Sequence, residues 1–128
     1  MTVDAINTDK APAAIGPYSQ AIVAGGFVYV SGQIPLNPKT GELVAGDIEA
    51  QTRQVFANIK NVAAAAGCGL QDCVKLNISM LDLGGFDTVN KVMMEVFEKP
   101  YPARACVGVA ALPKAALIEI ESIFILKG

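Results

Sequence analysis

The patterned segments of this chain predict an α+β domain in which two helices cover one face of a sheet, in the order β-β-α-β-α-β-β. Three observations carry that expectation. Two stretches repeat apolar residues at helical intervals, the runs between and around them have strand periodicity, and no segment is left over to form a third helix. At 128 residues the chain has the length of one domain, spanning 1–128, and can bury roughly two-thirds of its unfolded surface.

Two β-type runs, Tyr18 to Ala24 and Phe27 to Ile34, flank Gly25-Gly26, a dipeptide that tolerates the positive φ angles of a tight hairpin. Pro35, Pro38 and Gly41 then mark a loop, because each proline removes a ladder donor and glycine permits the turn. Asp47 is placed to cap a helix whose stripe is Ile48, Val55, Phe56, Ile59, Val62, Ala63 and Ala66. Glu49, Arg53, Gln54, Asn58 and Lys60 fall largely off that stripe, and Gly67 supplies a stop. Cys73 to Leu81 alternates, with Val74, Leu76, Ile78 and Met80 on one face and Lys75, Asn77 and Ser79 on the other.

A second helix is expected from about Gly85 to Glu98, with Phe86, Val89, Val92, Met93, Val96 and Phe97 inward; Pro100 and Pro102 end it. Ala103 to Ala110 and Leu117 to Leu126 read as the final strands, joined through Leu112-Pro113-Lys114, a link too short for a helix. Both strands carry apolar residues on both faces. Two helices can cover only one face, so another copy of the chain, in closed symmetry, is the simplest cover for the other.

Composition narrows the chemistry. Hydrophobic residues make up 52% and charged residues 17%, against about 25% charged in an average soluble domain, which again favours self-association. The net charge of -2 gives no overall attraction to nucleic acid. With no histidine, Ser-His-Asp and Cys-His pairs, imidazole metal sites and histidine acid–base catalysis are excluded. Cys68, Cys73 and Cys106 are odd in number and lack CxxC spacing, which suits reduced thiols inside a cell rather than a zinc knuckle or disulfide framework. The N-terminal residues form no signal peptide, and no run reaches the ~18 apolar residues of a membrane span. The expectation is a soluble protein of the cytoplasm or an organelle, with no membrane partner.

Arg104 stands in a strand that otherwise has no charge, and a desolvated guanidinium needs an anionic or carbonyl partner. It is either half of a cross-strand ion pair with Glu119 or Glu121 on the last strand, or a waiting anion site. Cys106 shares its face and reads either as a small buried thiol or as a pocket residue whose pKa Arg104 lowers. Tyr18 and Asn90 are individually ordinary, and Ser31-Gly32 suits a bulge or turn.

Read in order, AIGPYSQAI, VSGQIPLNPKTGELV, DIEAQTRQVFANIKNV, FDTVN and YPARACVGVAALPKAALIEIESI resemble the RidA/YjgF family of enamine/imine deaminases, from about Lys10 to the C-terminus. The resemblance implies a chorismate-mutase-like fold: a mixed sheet with two helices on one side, assembled as a homotrimer around an inner β-barrel, with sites in clefts between subunits. It implies hydrolysis of 2-aminoacrylate-type intermediates, small 2-imino or 2-enamino acids, to 2-keto acids and ammonia, with no metal or organic cofactor. Matched to the family motifs, Arg104 holds the substrate carboxylate, Glu119 stands near the attacking water, Cys106 lines the pocket, and Tyr18, Ser31, Gly32 and Asn90 supply remaining contacts. The link from Asn90 to Arg104 is shorter than in familiar members, and Gly84-Gly85 replaces polar residues, so the cleft rim is expected to differ. Relatives described as endoribonucleases or translation inhibitors, and a non-catalytic chaperone-like trimer holding a small carboxylate, are the rival readings.

Overall fold

The hairpin at Gly25-Gly26 forms as expected, with both glycines at positive φ (59° and 84°). In the computed structural model, which describes residues 3–127, a short first strand β1 (Asp4–Ile6) pairs with β2 (Ala21–Ala24), which turns into β3 (Phe27–Gln33). The sequence reading missed β1, whose three residues are too few to show a period. It also began the hairpin at Tyr18, three residues early. The buried Gln20 side chain accounts for that: it accepts from Thr8 N–H at 2.7 Å and donates to the carbonyls of Thr8 (3.0 Å) and Pro12 (2.8 Å). The Gln20 side chain thereby ties this segment to the N-terminal loop, while the Gln20 main-chain carbonyl still accepts from the Ser31 N–H of β3 at 3.0 Å.

Helix α1 (Ile48–Ala65) starts where Asp47 Oδ1 accepts from the Ala50 N–H at 3.1 Å, and ends at Gly67, whose φ of 86° favours glycine. Val55, Phe56, Ile59, Val62 and Ala63 are buried as the stripe requires. Asn58 departs from expectation. It is fully buried, because its Nδ2 donates to the Leu36 carbonyl at 2.9 Å and satisfies a loop that no strand reaches.

Strand β4 (Cys73–Met80) turns Leu76, Ile78 and Met80 inward, but a register shift between Cys73 and Lys75 buries Cys73 and leaves Val74 38% exposed. Helix α2 (Phe86–Val96) buries Val89, Val92 and Met93, and Phe97 just beyond it meets Phe56 edge to face at 5.4 Å. Phe86, expected in the core, lies at its margin beneath an arginine. No third helix joins β5 (Ala103–Gly108) to β6 (Ile118–Ile125), only a turn at Pro113–Ala115.

The six strands form one mixed sheet in the order β1-β2-β3-β6-β4-β5, parallel only between β4 and β5, where α2 makes the crossover. Leu76, Ile78, Ile120 and Phe124 meet the helices in one continuous core. The opposite face leaves Tyr29, Val107 and Ile125 exposed, as the two-faced strands foretold.

Candidate functional site

Strand register decides which candidate residues can meet. Arg104 pairs with Leu76 and Cys106 with Ile78, so both point to the helix side of the sheet. Glu119 pairs with Ser79 and Glu121 with Asn77, the alternate positions of β4, so both point to the open side. Of the two readings of Arg104, the cross-strand ion pair does not form: β4 lies between β5 and β6, and the groups leave opposite faces.

On the helix side, Arg104 Nη1 donates to Asn90 Oδ1 at 2.6 Å and lies 3.2 Å from Met93 Sδ, while its guanidinium carbon sits 5.0 Å from the centre of the Phe86 ring. One face of α2, from Phe86 at its start to Met93 near its end, thus orients the arginine without neutralising it. Among the described residues no carboxylate lies within ion-pairing distance of it. A pocket of about 400 Å³ opens here, lined by Asn90, Met93, Met94, Tyr101, Pro102 and Arg104. Cys106 is not among its walls; its sulfur lies 3.6 Å from Met80 Sδ. Burial pushes the Cys106 thiol up despite the opposing charge of Arg104, contrary to the expected lowering, because loss of solvent outweighs that attraction.

On the open side, Tyr18, Ser31, Gly32, Glu119 and Glu121 line a second cleft of about 470 Å³. Ser31 Oγ donates to the Ser19 carbonyl at 2.6 Å, and the Tyr18 hydroxyl accepts from Ile15 N–H at 3.3 Å. The ladder between β3 and β6 shifts register between Val30 and Gln33, the bulge expected at Ser31-Gly32. Gly32 is there for space: a Cβ on it would stand 3.0 Å from Glu119 Cδ. Burial first, then the like charge of Glu121, holds the Glu119 carboxyl above the ordinary glutamate value. Glu121 is itself oriented by Asn77 Nδ2, which donates to it at 2.9 Å.

The structure therefore brings together Tyr18, Ser31, Gly32 and Glu119 in one cleft and Arg104 with Asn90 in another, and it does not join the two within a chain. Sequence reasoning passed over Gln20, which fastens the loop bearing the Pro12 wall of the first cleft. Its signal was an amide directly before the apolar run Ala21 to Ala24.

The Endoribonuclease L-PSP family description matches residues 8–126. A RutC family protein of Pyrococcus horikoshii is 52% identical over 120 residues, covering 94% of this chain and 95% of that one. The chain belongs to the RidA/YjgF family. A RidA/YjgF relative from Dermatophagoides farinae, named 2-iminobutanoate/2-iminopropanoate deaminase, is 48% identical over 122 residues and 95% of each chain. The crystal structure of RidA from an Antarctic Psychrobacter superposes with a TM-score of 0.93 at 52% identity, covering 96% of this chain and 99% of that one. The fold is thus the RidA/YjgF fold, and among the described residues no helix is long and apolar enough to cross a membrane.

Proposed function

We propose that this chain hydrolyses 2-aminoacrylate-type enamines and their imine tautomers to 2-keto acids and ammonia, as a homotrimer whose clefts join the Arg104 pocket of one copy to the Glu119 cleft of the next. The observation that carries the reading is the Arg104 guanidinium, held by Asn90 and Phe86 yet without a carboxylate partner among the described residues. A planar fork so prepared suits a small carboxylate in bidentate fashion. Two open half-sites on opposite faces of a sheet with an uncovered apolar side support assembly of like chains.

The chemistry then needs little. Protonation of the enamine at its terminal carbon gives an iminium ion, whose carbon is electrophilic. With the substrate carboxylate on Arg104, a water beside Glu119 adds to that carbon and gives its proton to the Glu119 carboxylate. Glu119 returns a proton to nitrogen, and as the carbon–nitrogen bond breaks the carbinol hydroxyl gives its proton to the Glu119 carboxylate and becomes the keto oxygen; ammonia and the 2-keto acid leave, and the proton on Glu119 returns to solvent in place of the one taken up at the terminal carbon. Tyr18 and Ser31 shape the water's side of the cleft, and Cys106, two residues beyond Arg104 on the same strand and against Met80, stays neutral and takes no part. Two glutamates facing one cleft disfavour phosphates, which counts against RNA as substrate.

The test couples a dehydratase that releases 2-aminoacrylate to this protein and follows pyruvate. Wild type is expected to accelerate its formation, and Arg104→Ala to match the reaction without added protein. Equal rates in all three would sink the proposal. Gly32→Ala is expected to keep its melting temperature while turnover falls about tenfold or more, because the new methyl displaces the Glu119 carboxylate. Circular dichroism melts and the same assay check it.

A further inference from the structure

Two side chains of α1 with no part in the hydrolytic scheme hold the backbone on both sides of the Glu119 cleft. Gln51, buried, accepts from the Leu117 N–H at 2.9 Å, two residues before Glu119. Asn58, two helical turns on and on the same face, donates to the carbonyl of Leu36, a cleft-lining residue, and accepts from Gln54 Nε2 at 2.9 Å. The Leu117 carbonyl accepts from the Leu81 N–H at 3.1 Å, so Leu117 is fixed on both sides.

The chain arriving at Leu117 is strained. Lys114 and Ala115 have φ of 56° and 58°, left-handed values that a side chain disfavours. The turn is closed by hydrogen bonds from Ala115 N–H to the Leu112 carbonyl (3.2 Å) and from Ala116 N–H to the Pro113 carbonyl (3.1 Å). Ala116, fully buried, packs with Ile34 and Leu36 behind the cleft. Such a turn persists only where its surroundings overdetermine it.

We propose that Gln51 is a positioning residue for Glu119: its amide oxygen pins the Leu117 N–H against the strain of the Lys114-Ala115 turn and so fixes where β6 begins and where Glu119 stands over Gly32. The consequence for turnover rests on the hydrolytic reading; the consequence for placement does not. Because Arg104 lies on the other face, loss of the brace acts on the chemical step and leaves carboxylate anchoring intact.

The experiment uses the full chain with Gln51→Met, which keeps length and removes the acceptor, Ala115→Gly, which relieves the turn, and the double variant. The Glu119 carboxyl is titrated by carbon-13 NMR, and kcat and KM are measured in the coupled assay. Besides Glu119, the cleft's titratable groups are Glu121 and Tyr18, unchanged in every variant. In Gln51→Met the Glu119 midpoint is expected to move toward the ordinary glutamate value and kcat to fall about tenfold with KM held within about twofold. The double variant is expected to recover both. A lower melting temperature with midpoint and kcat unchanged, or a rise in KM alone, overturns the proposal. If Gln51→Met does not fold alone, folding of the double variant supports the brace, and a double variant that fails to fold while Ala115→Gly folds overturns it. If wild type proves inert toward 2-aminoacrylate, the hydrolytic reading fails, and the titration still decides the positioning.

Discussion

Arg104→Ala and Glu119→Gln, each inactive alone, are expected to recover activity when their subunits are mixed by joint refolding. Arg104 leaves the helix face of β5 and Glu119 the open face of β6, with β4 between them, so the proposed site draws the two groups from different chains. In an equal mixture each site draws an intact arginine half the time and an intact glutamate half the time, giving about one quarter of wild-type activity from closed, symmetric assemblies. Each pure variant stays down by about 10² or more, because the first loses the bidentate anchor and the second the proton acceptor. The check is the pyruvate assay on refolded mixtures at varied ratios. No recovery at any ratio would mean that both groups act within one chain, against the proposed assembly.

The second large effect is the pH dependence set by Glu119. The group must be ionised to take a proton from water, and burial together with Glu121 raises its pKa, so kcat/KM should climb with pH through a midpoint above that of an ordinary glutamate. Glu119→Gln removes that acid limb and lowers the rate by about 10² to 10⁴. Glu121→Gln removes one like charge and moves the limb toward acid, but only part of the way, since burial is the larger cause. Stability moves the other way. A carboxyl whose pKa is raised on folding contributes most below its unfolded value, and that contribution is lost as pH rises through the folded value. Glu119→Gln should therefore melt no lower than wild type at neutral pH. A pH–rate profile and parallel melts test both signs, and an acid limb unchanged by Glu119→Gln would remove the residue from acid–base chemistry.

The helices were legible because their signals are local: Asp47 caps, Gly67 stops, and the stripe from Val55 to Ala63 is buried as its spacing requires. The hairpin at Gly25-Gly26 was legible for the same reason. What escaped was decided by distant partners. Asn58 looked solvated because no helical wheel shows the Leu36 carbonyl that needs it. Val74 looked buried because a bulge against β6 leaves no trace in an alternating run. Within the site, Arg104 and Glu119 were both named from the sequence, but residue spacing alone left open whether they form an ion pair, and only the strand order rules that pair out within a chain. Adjacent strands in the chain need not be adjacent in the sheet, and the parallel crossover through α2 sends β5 to the edge.

That edge placement also governs inheritance of damage. In the proposed assembly, a chain that has lost both Arg104 and Glu119 would lend nothing to either of the clefts it joins, and so would silence two sites while being only one molecule. A defective copy made alongside a sound one would then remove more activity than its share of the protein, and a second gene could not offset the loss unless its product assembled apart.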